Sequence, residues 1–229
     1  MNAIITGATK GIGKAIAIKL AEQGYNLAIC ARSKPELEAL ADQLSYTGVS
    51  IYTKVADCSI KSDVYAFCDF ANVSLGTIDV LVNNAGTFIP SAILDELDEA
   101  FELQQNLNLN CAYYLSKYVA KLMIVNGSGH IFTVCSVASK EVVENAGSYS
   151  VTKSALLSLN NVLRQELAKY NVKVTAILPG STLTSSWEGT TIPEEKFVQP
   201  DDIANTLFHI LGLSAGANVD EITIKPIHF

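Results

Sequence analysis

Tyr149 and Lys153, four residues apart, could do acid–base chemistry if a helix carries them. The i, i+4 spacing stacks a phenol and an ammonium on one helix face, where the cation favours the ionised phenol. A tyrosine so placed can act as an acid near neutral pH. Tyr113 and Lys117 share the spacing, and with 9 tyrosines in 229 residues a chance match is unremarkable. Context separates the two pairs. Upstream of Tyr149 the run Ile131-Phe132-Thr133-Val134-Cys135-Ser136 reads as a buried strand ending in a hydroxyl, while the stretch before Tyr113 is helical. Taken alone, either pair is better explained as an exposed helix pair; only Tyr149 has a strand-end serine nearby.

A second chemistry, anion binding, lies near the start. An apolar strand over Ala3–Thr6 runs into Gly7-Ala8-Thr9-Lys10-Gly11-Ile12-Gly13 and then a helix with Ile12, Ala15, Ile16 and Leu20 on one face. Glycines there let backbone N–H groups approach a pyrophosphate, with the positive end of the helix dipole behind them. Three glycines also suit a plain tight turn, but the position between strand and helix favours the phosphate reading. The next strand, Asn26–Ala31, ends in Ala31-Arg32, where a dinucleotide-binding unit usually places an acid for the ribose 2′-hydroxyl. Arg32 and Lys10 would instead pair with a 2′-phosphate, so NADPH is expected over NADH. Their alternative is to be solvated surface charges.

These residues need a scaffold. Further strands are expected at Ile51–Val55, leading to Asp57 and Cys58; at Ile78–Val82, ending in Asn83-Asn84-Ala85-Gly86; at Val172–Leu178, closing at Pro179-Gly180; and at Glu221–Lys225. Helices alternate with them, at Lys34–Leu44, Ile60–Val73, Asp98–Val125, Tyr149–Tyr170 and Asp201–Leu211. Alternation predicts an α/β fold with a parallel sheet and right-handed crossovers, its ligands beyond the carboxyl ends of the strands. Asp57 then accepts from an adenine amino group, and Asn83 and Gly86 border the cofactor, although Asn83 serves equally as a bridge between strands. In the long helix Asn106, Asn108 and Asn110 compete for a polar role, and periodicity does not choose among them. Residues 181–199, rich in Ser, Thr, Gly and Pro, read as a mobile lid carrying Trp187 as an aromatic wall for substrate, although packing against the body is as common for such a Trp.

Composition narrows the classes. Hydrophobic residues make up 49% and charged residues 17%, which suits one domain with a large core, and a net charge of −7 without a Lys/Arg block argues against nucleic acid. The first strand starts at Met1, leaving no room for a signal peptide, and no run approaches a membrane span, so a cytoplasmic protein is expected. The 5 cysteines and 3 histidines lack ligand spacing, so no metal site is expected and the thiols are taken as reduced core residues.

The order and spacing of these pieces resemble the short-chain dehydrogenase/reductase family across essentially the whole chain. Thr6 to Gly13 looks like its cofactor turn, Asn83-Asn84-Ala85-Gly86 its strand-end motif, Tyr149-Ser150-Val151-Thr152-Lys153 its catalytic motif, and Pro179-Gly180 its post-strand turn. The resemblance implies one domain over 1–229, a single Rossmann-type doubly wound seven-stranded parallel sheet flanked by helices, with the lid at about 181–199. It selects Ser136 over Ser139 as catalytic serine and Asn108, before Leu109, as the helix asparagine holding a water that re-supplies protons through Lys153. In the turn it implies cofactor contacts from Gly7, Thr9, Lys10, Gly11, Ile12 and Gly13. Beyond it, Arg32, Asp57, Cys58, Asn84, Ala85 and Gly86 line the nucleotide; Tyr149, Lys153, Pro179, Gly180, Thr182 and Thr184 meet its nicotinamide half, Thr184 at the carboxamide. Family members commonly have an aliphatic residue at the position of Thr182.

The implied activity is NADPH-dependent reduction of a ketone or aldehyde, with Tyr149 as general acid and Ser136 bonding the carbonyl oxygen. Lys153 would favour the phenolate and bind the nicotinamide ribose. Gly129-His130-Ile131-Phe132, Trp187 after Pro179-Gly180, and Pro200-Asp201-Asp202-Ile203-Ala204 look similar to sepiapterin reductase-like members. The alternative is a 3-oxoacyl reductase acting on carrier-protein or CoA thioesters, disfavoured by the single basic residue in Lys169-Tyr170-Asn171 and by the acidic charge. An alternative of another class is a non-catalytic NADPH-binding redox sensor, against which Ser136, Tyr149 and Lys153 all stand. The apolar faces of the helices around Asn108 and Tyr149 imply self-association as a dimer or tetramer.

Overall fold

The computed structural model describes residues 1–228; Phe229, the last residue of the expected domain span, lies outside the described residues. Seven parallel strands form one sheet in the order β3-β2-β1-β4-β5-β6-β7, with β1 Asn2–Thr6, β2 Asn26–Ala31, β3 Ile51–Val55, β4 Val80–Asn83, β5 Gly129–Val134, β6 Val172–Pro179 and β7 Glu221–Ile224. Chain order reverses between β1 and β4, so a crevice opens above their carboxyl ends. This is the expected α/β doubly wound sheet.

The central strands read as unbroken apolar runs because helices cover both faces. On one side α1 (Gly11–Glu22), α2 (Lys34–Leu44) and α7 (Pro200–Leu211) bury Ile16, Leu20, Leu37 and Leu207 against Ile5, Ile29 and Phe132. On the other, α3 (Lys61–Leu75) and α5 (Cys111–Asn126), after the short α4 (Asp98–Gln104), pack Phe67, Leu115 and Met123 on Ile4, Leu81 and Ile131. The helix α6 (Gly147–Leu167) buries Leu156 and Leu157 against Ala176 and Leu178.

Local chemistry sets the joints. Ser33 caps α2 by accepting from the Glu36 N–H at 3.4 Å, with a proline in the first turn. The expected continuous helix over 98–125 is interrupted: residues 105–110 form a π-helical turn between α4 and α5, the kind of widened turn that favours functional sites. Ser136 lies two residues beyond β5 rather than at its end, and 137–139 form a 3₁₀ turn. No helix among the described residues is long and apolar enough to cross a membrane, and all five cysteines are buried free thiols.

Candidate active site

Above the β1–β4 switch point lies a cavity of about 840 Å³, within the range of small-molecule and cofactor sites. Its floor begins at the glycine turn. Gly7 has φ +63, which a side chain disfavours, and the Gly7 and Ala8 N–H groups both donate to the Cys30 carbonyl. The turn delivers the chain into α1, which has no side-chain cap and no acid in its first turn. Amides and dipole at that helix end therefore remain available to an anion, which is what a phosphate-bearing nucleotide requires.

Gly7, Thr9, Lys10, Gly11 and Ile12 line the cavity as expected, but Gly13 does not. A Cβ at Gly13 would come within 2.3 Å of Asn84 Nδ2 and of the Gly7 carbonyl oxygen, so its task is close packing. Asn84 reaches the wall with its amide already engaged, donating to the Thr6 and Gly7 carbonyls at 2.9 and 3.1 Å. Thr6 Oγ1 accepts from the backbone N–H groups of Asn84 and Ala85, fastening β1 to the end of β4. Asn84 is thus a staple of the turn as much as a wall, with Ala85 and Gly86 beside it. Asn83 is off the cavity wall and donates to Ser116 Oγ at 2.8 Å, so it ties β4 to helix α5 rather than bordering the cofactor space or bridging two strands.

Arg32, Asp57 and Cys58 line the same end. Burial works to raise the Asp57 carboxyl, but the Ser59 N–H and hydroxyl and the charge of Arg32 outweigh it and hold it below its ordinary value. Its Oδ1 accepts both Ser59 groups, at 2.9 and 2.7 Å. Lys10 is not a simple solvated charge: its Nζ lies 2.9 Å from Glu36 Oε1, and Glu36 is a cavity residue that sequence reasoning passed over.

Ser136, Tyr149 and Lys153 line the same cavity, as do Pro179, Gly180, Thr182, Thr184 and Trp187. Ser136 Oγ accepts from the Ala138 N–H at 3.1 Å, and the Ser136 N–H donates to Ser139 Oγ at 3.2 Å, a reciprocal cap that fixes the serine and leaves its hydroxyl proton to be donated elsewhere. Lys153 is only 4% exposed and donates from Nζ to the Val134 carbonyl at 2.8 Å, with Nζ 5.8 Å from the Tyr149 ring centre. Phe88 meets the Tyr149 ring edge-on at 4.9 Å and is a further wall residue not anticipated from the sequence. Burial pushes the neighbouring Cys135 thiol up to about 12, so it stays protonated beside the serine.

Asn108 sits in the π-helical turn. It is 1% exposed and off the cavity wall; its Oδ1 accepts the Thr87 N–H at 2.7 Å while Nδ2 donates to the Thr87 carbonyl and to Thr152 Oγ1. Its side-chain amide ties the segment after Gly86 to α6. A Cβ at Gly86 would come within 3.1 Å of Asn108 Oδ1 and 3.5 Å of Lys153 Nζ, so the asparagine lies close to the ammonium.

The segment expected as a lid folds back on itself. The Leu183 N–H donates to the Val198 carbonyl and the Val198 N–H to the Ser181 carbonyl around a Thr182–Val198 bridge, and Trp187 packs edge-on against the buried Phe197 at 5.0 Å while also lining the cavity. The tryptophan thus packs against the body, the alternative expected for it, and still lines the cavity.

Residues 1–194 match the short chain dehydrogenase family. An uncharacterized oxidoreductase of Staphylococcus aureus (strain USA300) is 32% identical over 225 residues, covering 98% of this chain and 96% of its own. Among solved structures, the alcohol dehydrogenase of the archaeon Thermococcus sibiricus complexed with 5-hydroxy-NADP has a TM-score of 0.93 at 29% identity, covering 100% of this chain and 97% of that one. L-sorbose reductase from Gluconobacter frateurii, complexed with NADPH and L-sorbose, has a TM-score of 0.91 at 27% identity over 98% and 94% of the two chains. With a family match across most of its length and relatives spanning nearly all of it, this chain is an oxidoreductase of the short-chain dehydrogenase family.

Proposed function

We propose that this protein is an NADPH-dependent carbonyl reductase in which Tyr149 is the general acid. The observation that carries the reading is the meeting of a phenol, a buried ammonium and a capped serine on the wall of the cavity that the glycine turn floors. NADPH, when bound, supplies the hydride that reduces the carbonyl carbon. The Tyr149 hydroxyl donates its proton to the carbonyl oxygen as charge develops there, and Ser136 donates a hydrogen bond to the same oxygen. Lys153 supports the phenolate left behind. Its bond to Val134 uses one of three N–H donors, leaving two for Tyr149 and a ribose hydroxyl. The uncapped start of α1 is suited to the pyrophosphate, Lys10 and Arg32 to the 2′-phosphate, and Thr184 to the carboxamide. The NADP and NADPH bound to the solved relatives support the cofactor assignment.

The single domain, with residues 181–199 serving as a substrate lid, is part of the same reading. Phe88, Val143, Ala146 and Trp187 form an apolar and aromatic side of the cavity, which favours a flat or aromatic carbonyl, as the sepiapterin reductase-like resemblance also implies, over a 3-oxoacyl thioester. Exposed apolar side chains on α5 and α6, among them Tyr113, Val125, Val151 and Val162, suit burial in a homo-oligomer. NADPH oxidation measured against sepiapterin, diacetyl-type dicarbonyls, aromatic aldehydes and short 3-oxoacyl thioesters tests the reading. Turnover of an aromatic or dicarbonyl substrate that vanishes in Tyr149→Phe is the expected result. NADPH binding without turnover of any of them would favour the sensor reading, and full activity in the variant would dismiss the mechanism.

A further inference from the structure

The end of β2 lacks the acid that usually receives a ribose 2′-hydroxyl, yet a carboxylate reaches the same part of the cavity from the first turn of α2. Glu36 Oε1 lies 2.9 Å from Lys10 Nζ, and Glu36 Oε2 accepts the Thr9 hydroxyl at 3.0 Å. All three residues line the cavity beside Arg32. The Lys10 ammonium, and after it the Thr9 hydroxyl, hold the Glu36 carboxyl below its usual range, so it is charged at neutral pH.

A 2′-phosphate and a 2′-hydroxyl ask opposite things of such a corner. The phosphate needs cations and is repelled by a carboxylate; the hydroxyl is bound best by a carboxylate acceptor. Here Lys10 and Arg32 serve the first need and Glu36 the second, with Lys10 already committed to Glu36. We infer that Glu36 is the specificity-determining residue of the nucleotide site: it competes with a 2′-phosphate for Lys10 and accepts a 2′-hydroxyl when the phosphate is absent. The protein then uses NADPH with only a modest preference over NADH. The side chains of Lys10 and Glu36 are 63% and 38% exposed, so solvent screens the pair and the effect is severalfold rather than many orders of magnitude. This inference rests on the NADPH reading of the site.

The test is direct binding of NADPH and NADH to the full chain, read from quenching of the single tryptophan and from the cofactor's own fluorescence, in wild type, Glu36→Gln and Glu36→Lys. Competition by 2′,5′-ADP against 5′-AMP gives the same contrast without the nicotinamide. In Glu36→Gln, which keeps shape and hydrogen-bonding capacity, NADPH should tighten and NADH weaken, each by about fivefold. Glu36→Lys should carry the ratio further the same way. An unmoved ratio, or weaker NADPH binding in Glu36→Gln, would mean that Glu36 merely orders Thr9 and Lys10, and overturns the inference while the reductase reading stands. A wild-type protein that binds neither cofactor overturns both.

Discussion

Tyr149–Lys153 and Tyr113–Lys117 are the same pair twice, as far as spacing goes. Each puts an ammonium near a ring, at 5.8 Å in the first and 5.6 Å in the second. The surroundings differ. Lys153 is buried and tied to the Val134 carbonyl beyond which Ser136 sits, and Tyr149 stands in a cavity wall against Phe88. Tyr113 is 44% exposed and leans edge-on against Tyr114. Helical periodicity therefore supplies proximity, while the proposed chemistry asks in addition for a buried ammonium, a second hydroxyl on the same cavity and room for a substrate. The sheet contributes through β5, whose last residue, Val134, accepts a hydrogen bond from the Lys153 ammonium.

The contrast breaks most sharply at the phenols. Tyr149→Phe should lower reductase turnover by on the order of 10³-fold while NADPH still binds, whereas Tyr113→Phe should leave turnover unchanged, both read by NADPH oxidation. Equal effects at the two positions would erase the distinction. The cations come next. Lys153→Ala should cost on the order of 10²-fold in turnover and also weaken NADPH in a fluorescence titration, while Lys117→Ala should alter neither. Asn108 sharpens the comparison from the side of support: Asn108→Ala removes the acceptor of the partly buried Thr87 N–H and should lower stability by about 1–3 kcal/mol in denaturant unfolding, with a smaller fall in turnover than Tyr149→Phe. A collapse in turnover with unchanged stability would instead give it a direct part in the chemistry. The smallest effect is expected at the rim, where Trp187→Ala should raise KM for an aromatic carbonyl roughly threefold to tenfold with kcat little altered. An unchanged KM would remove the aromatic wall from the substrate reading.

How far the sequence carries the reader varies by residue. The sheet is legible because strands covered on both faces must be apolar throughout, as in Ala3–Ile5 and Val80–Val82. The glycine turn is legible as a unit, but spacing does not reveal that Gly13 packs off the cavity wall while Gly7 and Gly11 line it; that follows from how β1 and β4 abut. Ser136 slips past the strand end because Ala138 N–H bonds to its hydroxyl two residues on, a short-range competition that hydrophobic pattern does not register. The π turn at 105–110 rotates Asn108 toward Thr87 and Thr152, and one widened turn leaves no trace in an apolar stripe. Glu36 looked like an ordinary first-turn acid, and its link to Lys10 exists only because β1 and β2 lie side by side.

The Thr182–Val198 bridge has an evolutionary corollary. With the two ends of that stretch clasped together near the post-β6 turn, the residues between them form a cassette whose length and composition can drift at slight entropic cost, since closing a longer loop grows only logarithmically dearer. Selection could then reshape one side of the cavity by rewriting this one appendage, leaving Ser136, Tyr149, Lys153 and the glycine turn untouched.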